Sequence, residues 1–424
     1  MVTLRDSTPI RRYTTAPVNS ASCAANQVSG LLTQTLAALA ASAICLACGG
    51  SVRTSVGAGG TGPDDAASGA DGGALPTNAR RSHLACGATS TCLLTAQTGV
   101  RCWGIGADGQ LGNGLANLAI EGPTPVEPLS PAVGLIGGPL QTCAFAASDA
   151  AECWGLLPSL ATNPTTTPTQ LALAAVATIA FSGHACAVTR AGDVYCWGPD
   201  EFLGNGSGPS ESPQLVAGIH DAIDVAVATD SDLGSGIATL VVRADGTVLG
   251  WGHANGPGLT SESRVDQLTP IPMPGLSSVK QLTLGLSHAC ALLEDAHVAC
   301  WGSNFGGRLG SSSSNTLVPQ LVTGLTDVVE VRAGETFTCA RRTNGEVRCW
   351  GENTFHALAQ PQERVFSRVP VHIDVPPVSE MAVGQGHVCV LTGEGDVWCW
   401  GNNYSGQITN SDQVTFDTPV LVSP

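Results

Sequence analysis

Cysteine is the residue of this chain whose type and spacing could do chemistry. Six times a Cys is followed, after nine residues, by Cys-Trp-Gly. The pairs are Cys92 with Cys102, Cys143 with Cys153, Cys186 with Cys196, Cys290 with Cys300, Cys339 with Cys349 and Cys389 with Cys399. A seventh Trp-Gly, Trp251-Gly252, has Leu240 and Gly250 at the two cysteine positions. An even spacing places both residues on one face of a strand pair. A short odd-length turn then sets the two cysteines directly opposite, close enough at a non-hydrogen-bonded pair for a disulfide. Gly192, Gly246, Gly345 and Gly395 lie just past the hairpin midpoints, where such turns need positive φ. Zinc sites bring cysteines about two to four residues apart and gather four ligands. Each pair here stands alone in its repeat, so disulfides are expected and no metal.

Other reactive types are sparser. His184, His288 and His387 recur two residues before a cysteine, but Ser90, Gln141 and Phe337 hold the same slot elsewhere. A slot that tolerates Ser and Phe is read as strand-end hydrogen bonding. Cys86 is read as a small buried thiol. The acidic stretch Asp221, Asp224, Asp230 and Asp232 is read as a solvated loop, with calcium ligation as the alternative. Gly109-Gln110-Leu111-Gly112 lacks the lysine and helix start of a phosphate loop, so it is a turn. No Ser-His-Asp or paired-carboxylate motif can be assembled; no catalytic residue, no cofactor and no enzyme activity are expected. The binding candidates are a ridge after three successive Trp-Gly pairs: Asn304-Phe305, Asn353 with Phe355, and Asn403-Tyr404, with Phe202 at a similar place earlier. Aromatics beside amides suit protein or glycan recognition.

The elements that position these residues repeat every 50 residues or so, a period that means a propeller or solenoid. Each unit reads as a strand ending in Gly, a hairpin, a Gly/Asn-rich loop and a Pro-marked strand. Pro suits an edge strand, where no ladder N–H is required. The first repeat begins without a Pro strand and Thr418-Pro419 comes last, so the C-terminal strand is expected to complete the first blade and close the ring.

Of 424 residues only 12% are charged, and the net charge is −16 with one lysine, Lys280. A nucleic-acid partner requires a basic stripe, which this chain could supply only locally, so none is expected. Residues 1–48 read as an export leader: Arg11-Arg12 precede the uncharged Leu31 to Ala47, and Cys48 after Ala47 resembles the lipidated cysteine of bacterial lipoproteins. Residues 49–81 are a Gly/Ser/Ala/Asp tether, expected to be disordered, and 82–424 form the repeat domain. The expected location is outside the cytosol, as an outer-membrane or cell-surface lipoprotein or otherwise in the periplasm or medium. Membrane contact would come only through the lipid anchor, and a monomer is expected.

Gly-x-x-His-x-Cys-Ala-Leu (Gly285 to Leu292), Trp-Gly-x-Asn (Trp301 to Asn304) and Gly-Gln-Leu-Gly (Gly109 to Gly112) together resemble the repeats of the regulator of chromosome condensation family, over the whole of 82–424. The second repeat departs in lacking the Gly-Gln-Leu-Gly loop, and the fourth lacks the Gly-x-x-His signature. The resemblance implies an all-β, seven-bladed β-propeller of four-stranded blades. The best-known activity of that family is guanine-nucleotide exchange on a nuclear GTPase, which a leader, paired cysteines and acidity all oppose. Exported bacterial members instead resemble binding modules, among them a β-lactamase inhibitor that grips its enzyme with loop aromatics. The expected function is therefore a binding scaffold for protein or glycan. An inhibitor of that type or a polymer-acting extracellular enzyme is the alternative.

Overall fold

The computed structural model describes residues 81–158, 163–230, 236–254, 256, 258–259, 265–311, 314–361 and 363–423. The leader, Cys48, residues 49–80 of the tether and Asp232 lie outside the described residues. Seven antiparallel sheets follow one another as 84–125, 132–170, 176–215, 222–272, 279–321, 328–372 and 378–422. Each holds four strands hydrogen-bonded in sequence order. The first strands of all seven, from Leu84–Cys86 to Val378–Val383, line a central cavity of about 200 Å³. The Pro-marked strands are outermost, where a missing N–H costs no ladder bond. The chain is an all-β, seven-bladed propeller.

One expectation is corrected. The last strand, Thr415–Val422, pairs with Val397–Asn402 of its own blade, and Ile120–Pro125 completes the first. The seven Pro strands match the seven preceding hairpins one for one, so none is left to exchange. Leu84–Cys86, only 3 residues long, is the innermost strand of blade 1. Arg81, assigned to the end of the tether, lies 4.3 Å from the Phe145 ring centroid and pairs with Asp149 at 2.8 Å.

The Trp-Gly pairs explain the packing between blades. The core is seven clusters, one at each seam, and each contains one of Trp103, Trp154, Trp197, Trp251, Trp301, Trp350 and Trp400. Burying a tryptophan removes about 200 Å² from water, or about 5 kcal/mol of transfer free energy. The indole N–H groups of Trp154, Trp251, Trp301, Trp350 and Trp400 each donate to a loop carbonyl of the preceding blade, at 2.7 to 3.0 Å. The following glycine lets another loop approach. At Gly104, φ is +112° and a Cβ would lie 2.2 Å from the Thr89 carbonyl oxygen.

The hairpins have the register read from the spacing. Cys92 faces Cys102 in blade 1, Cys143 faces Cys153 in blade 2, and Cys186 faces Cys196 in blade 3. Likewise Cys290 faces Cys300, Cys339 faces Cys349, and Cys389 faces Cys399 in blades 5, 6 and 7. All six pairs have Cα atoms 4.1 to 4.2 Å apart and sulfurs bonded at 2.00 to 2.12 Å. In blade 4, Leu240 opposes Gly250. A Cβ on Gly250 would come within 2.8 Å of Leu240 Cδ2 and 2.6 Å of Met273 Sδ, so Leu and Met fill the space that sulfurs take elsewhere.

The described part of the acidic stretch is not a loop: Asp224 and Asp230 belong to the first strand of blade 4, Ala222–Asp230, and Asp221 directly precedes it. Asp221 pairs with Arg243 at 2.8 Å, while buried Asp224 accepts from the Leu282 N–H of blade 5 at 2.9 Å. Two carboxylates committed to separate partners do not form a shared calcium site.

Candidate functional site

Antiparallel order brings the first-to-second and third-to-fourth loops of every blade to the same end of the wheel. After the Trp-Gly pairs of blades 5, 6 and 7, three loops are built alike. Asn304 Oδ1 accepts from Leu309 N–H at 3.0 Å, and its Nδ2 donates to the Ser311 carbonyl at 3.1 Å. Asn353 accepts from Leu358 N–H at 3.0 Å and donates to the Arg364 carbonyl at 2.8 Å. Asn403 accepts from Ile408 N–H at 2.8 Å and donates to the Gln413 carbonyl at 2.7 Å. All three are buried. Their amides are spent on the loops' own main chain, which removes Asn304, Asn353 and Asn403 from the ligand-contacting set. They position the aromatics instead.

Those aromatics point outward. Phe305 is 73% exposed, Phe355 40% and Tyr404 60%. Phe355, held at φ +58°, meets Tyr404 edge-on with centroids 5.9 Å apart. Arg308 lies 5.8 Å from the Phe305 ring and is neutralised by Glu352 of blade 6 at 2.8 Å. The loops interlock from blade to blade, because a Cβ at Gly406 would strike Ile120 of blade 1 at 2.2 Å. Exposed Ile120, Leu118 and Leu115 therefore continue the apolar arc beyond Tyr404. Sequence reasoning missed this extension; three aliphatics crowded after Gly112-Asn113-Gly114 were the available signal. Phe202 does not belong to the arc. It is 7% exposed, and its carbonyl accepts from Trp251 Nε1 at 3.0 Å.

The titratable groups with large shifts lie elsewhere. Burial pushes His288 and His387 down to about 3, with the Arg308 charge adding to the effect on His288. Burial pushes the Cys86 thiol up to about 12. The histidines tie seams: His184, His288 and His387 meet Thr239, Thr338 and Thr91 of the next blade at 2.7, 2.8 and 2.9 Å. Among the described residues lining the central cavity, Glu335 is the one carboxylate, so the pair that hydrolysis of a sugar polymer requires does not converge there.

Models of the regulator of chromosome condensation (RCC1) repeat match residues 279–308, 328–357 and 378–407, and 295–341 in a second form. The RCC1 domain-containing protein RUG3 of Arabidopsis thaliana mitochondria is 35% identical over 147 residues, 32% of this chain and 33% of that protein. Human E3 ubiquitin-protein ligase HERC2 is 28% identical over 52% of this chain but only 4% of its own length. The chain thus spans a third or less of these curated relatives. Among solved structures, Prp20p of Saccharomyces cerevisiae superposes with a TM-score of 0.68 at 19% identity, covering 82% of this chain and 88% of that one. Human WBSCR16 gives 0.62 at 24% identity, covering 73% and 86%. At such identities the likeness is one of fold.

Proposed function

We propose, from the premise that this chain is a seven-bladed propeller carrying regulator of chromosome condensation repeats, that it is an exported binding scaffold whose loop face grips a protein partner. The observation that carries the reading is the exposed arc of Phe305, Phe355 and Tyr404, set on loops locked by buried asparagines. Rigidly mounted aromatics cost little ordering entropy on binding and supply most of the energy of protein contacts. Prp20p, which has this fold, is described by its binding to Gsp1p and histones, which supports protein recognition by such wheels. Exchange on a nuclear GTPase is left out, because six hairpin disulfides suit an oxidising compartment and a net charge of −16 repels nucleic acid. On this reading residues 1–48 direct export, Cys48 carries a lipid, 49–80 form the tether, and the wheel works as a monomer at the cell surface or in the periplasm. The test places a photo-crosslinking residue at 305, 355 or 404, and on the opposite end at Glu394, in intact cells. One protein cross-linked from the three loop positions and not from 394 is expected, with binding lost in the triple alanine variant. Equal cross-linking from 394, or full binding by the triple variant, refutes the assignment; capture of glycan alone replaces the partner class.

A further inference from the structure

Six seams of the wheel join blades that are consecutive in the chain; the seventh, between blades 7 and 1, joins its two ends. Cys86, the one unpaired cysteine among the described residues, lies in this last seam. Its Sγ, Cys389 Sγ and a ring nitrogen of His387 are all within 4.8 Å of one another, and all three residues are buried. Cys399 Sγ is bonded to Cys389 at 2.12 Å, so a third sulfur lies one bond beyond that cluster. His387 is fully buried, with Nε2 on the Thr91 hydroxyl at 2.9 Å and Nδ1 without a partner. A free thiol, a disulfide sulfur and a buried imidazole with one unpartnered nitrogen therefore share one pocket. While the disulfide is closed, two of the three sulfurs are bonded to each other and cannot ligate.

We propose that opening the Cys389–Cys399 bond converts this seam into a site for a thiophilic divalent cation of the zinc class, held by Cys86, Cys389, Cys399 and His387. The opening consumes a dithiol, which leaves as its cyclic disulfide, and yields two thiols. The cation then displaces the three thiol protons to solvent and takes a lone pair from the neutral imidazole. Zinc–sulfur bonds of about 2.3 Å put tetrahedral ligand atoms about 3.5–3.8 Å apart, so Cys86, His387 and Cys389 must draw in by up to roughly 1 Å while the two former disulfide sulfurs move apart. Burial holds the imidazole in its neutral, ligating form.

The other seams supply the contrast. His288, Cys290 and Cys300 of blade 5 repeat the arrangement, with Thr338 of blade 6 replacing Thr91. The residue opposite Thr338 is Ala333, whereas the residue opposite Thr91 is Cys86. Blade 5 therefore offers two sulfurs and one imidazole where the closing seam offers three and one. A metal at the closing seam would clasp the two ends of the ring, which none of the six hairpin disulfides spans.

The experiment titrates Co²⁺ alone, without oxygen, into three proteins: oxidised wild type, dithiol-reduced wild type and Cys399→Ser. The last frees Cys389 without reductant and leaves the other five disulfides intact. One equivalent with thiolate-to-cobalt charge-transfer bands is expected in the second and third proteins and none in the first. Adding Cys86→Ala to Cys399→Ser should weaken binding at least about 10-fold. Pairing Ala333→Cys with Cys300→Ser should create a matching site between blades 5 and 6. Folded Cys399→Ser that binds no Co²⁺, equal affinity after Cys86→Ala, or a Cys86–Cys389 disulfide in its peptide map overturns the proposal. Should Cys399→Ser fail to fold, the reduced wild type decides: a native tryptophan signal without charge-transfer bands refutes the site.

Discussion

Trp103 donates its indole N–H to the carbonyl of Gln407 at 3.0 Å, a bond between residues 304 positions apart that joins the first blade to the last. Among the described residues no strand crosses this seam. Closure rests on that bond, on His387 to Thr91, on Ser82 and the His83 N–H both reaching Glu380 Oε2 at 2.6 Å, and on the apolar cluster around Leu84, Ile408 and Phe416. The ring is thus sealed by the same kind of contact that holds consecutive blades.

Trp103→Phe should accordingly cost as much as Trp400→Phe, which breaks the matching bond between blades 6 and 7. Each loses a buried donor and some packed volume, about 1–3 kcal/mol in urea unfolding. A loss at 103 well below that at 400 would mean another device closes the ring.

Blade count was legible from the recurrence of one unit about every 50 residues, and hairpin register and cysteine pairing because they are local: strand alternation and an even spacing determine them within about 11 residues. Ring closure was not. The three residues Leu84–Cys86 carry too little pattern to announce a strand, so the last Pro strand looked surplus. The bonds from Trp103 and His387 join residues hundreds of positions apart, which no period reveals. At the ridge the residue types were legible and the division of labour was not. Asn beside Phe or Tyr reads as a recognition pair, yet the amide of Asn353 matches the Leu358 N–H and the Arg364 carbonyl and is consumed by them.

Deleting 411–424 removes the outer strand of blade 7 and with it buried Phe416 and Val422. The loss should be about 3–6 kcal/mol from burial alone. Hydrogen exchange locates it: protection should fall at those amides of Val397–Asn402 that bond to Thr415–Val422, while those bonded to His387–Thr392 and the whole of Ile120–Pro125, which pairs with Gly99–Ile105, stay protected. Loss of protection first at 120–125 would restore strand exchange between the ends.

Blade 4 shows how a hairpin of this type stands without sulfur, which suggests a graft. Cys290→Leu with Cys300→Gly copies Leu240 and Gly250; Cys290→Ser with Cys300→Ser only removes the bond. Both forfeit up to about 3 kcal/mol of loop constraint, but the leucine recovers about 1–2 kcal/mol by burial. Val322 stands where blade 4 has Met273, each donating its N–H to a third-strand carbonyl. Adding Val322→Met should therefore recover more. Equal denaturation midpoints for all three variants would show that volume at this position does not matter.

Acid should loosen the seams before it loosens the surface ion pairs. His288 and His387 have folded values near 3, well below the ordinary value of about 6.5. Above pH 6.5 both states are neutral and pH has no effect through them. Between 6.5 and 3 the unfolded chain binds protons that the folded wheel refuses, so stability falls as pH falls, by up to about 1.4 kcal/mol per pH unit for each histidine. Asp149, kept below the usual carboxylate range chiefly by its hydrogen bond from Arg190, adds to the loss only below about pH 4. His288→Phe, which installs the residue blade 6 carries at Phe337, should cost about 1 kcal/mol at pH 7 through the lost bond to Thr338. It should also reduce the decline between pH 6.5 and 4.5 by one proton's worth. Urea midpoints at pH 7 and pH 5 read both effects, and an undiminished decline in the variant would show that His288 is protonated in the folded wheel.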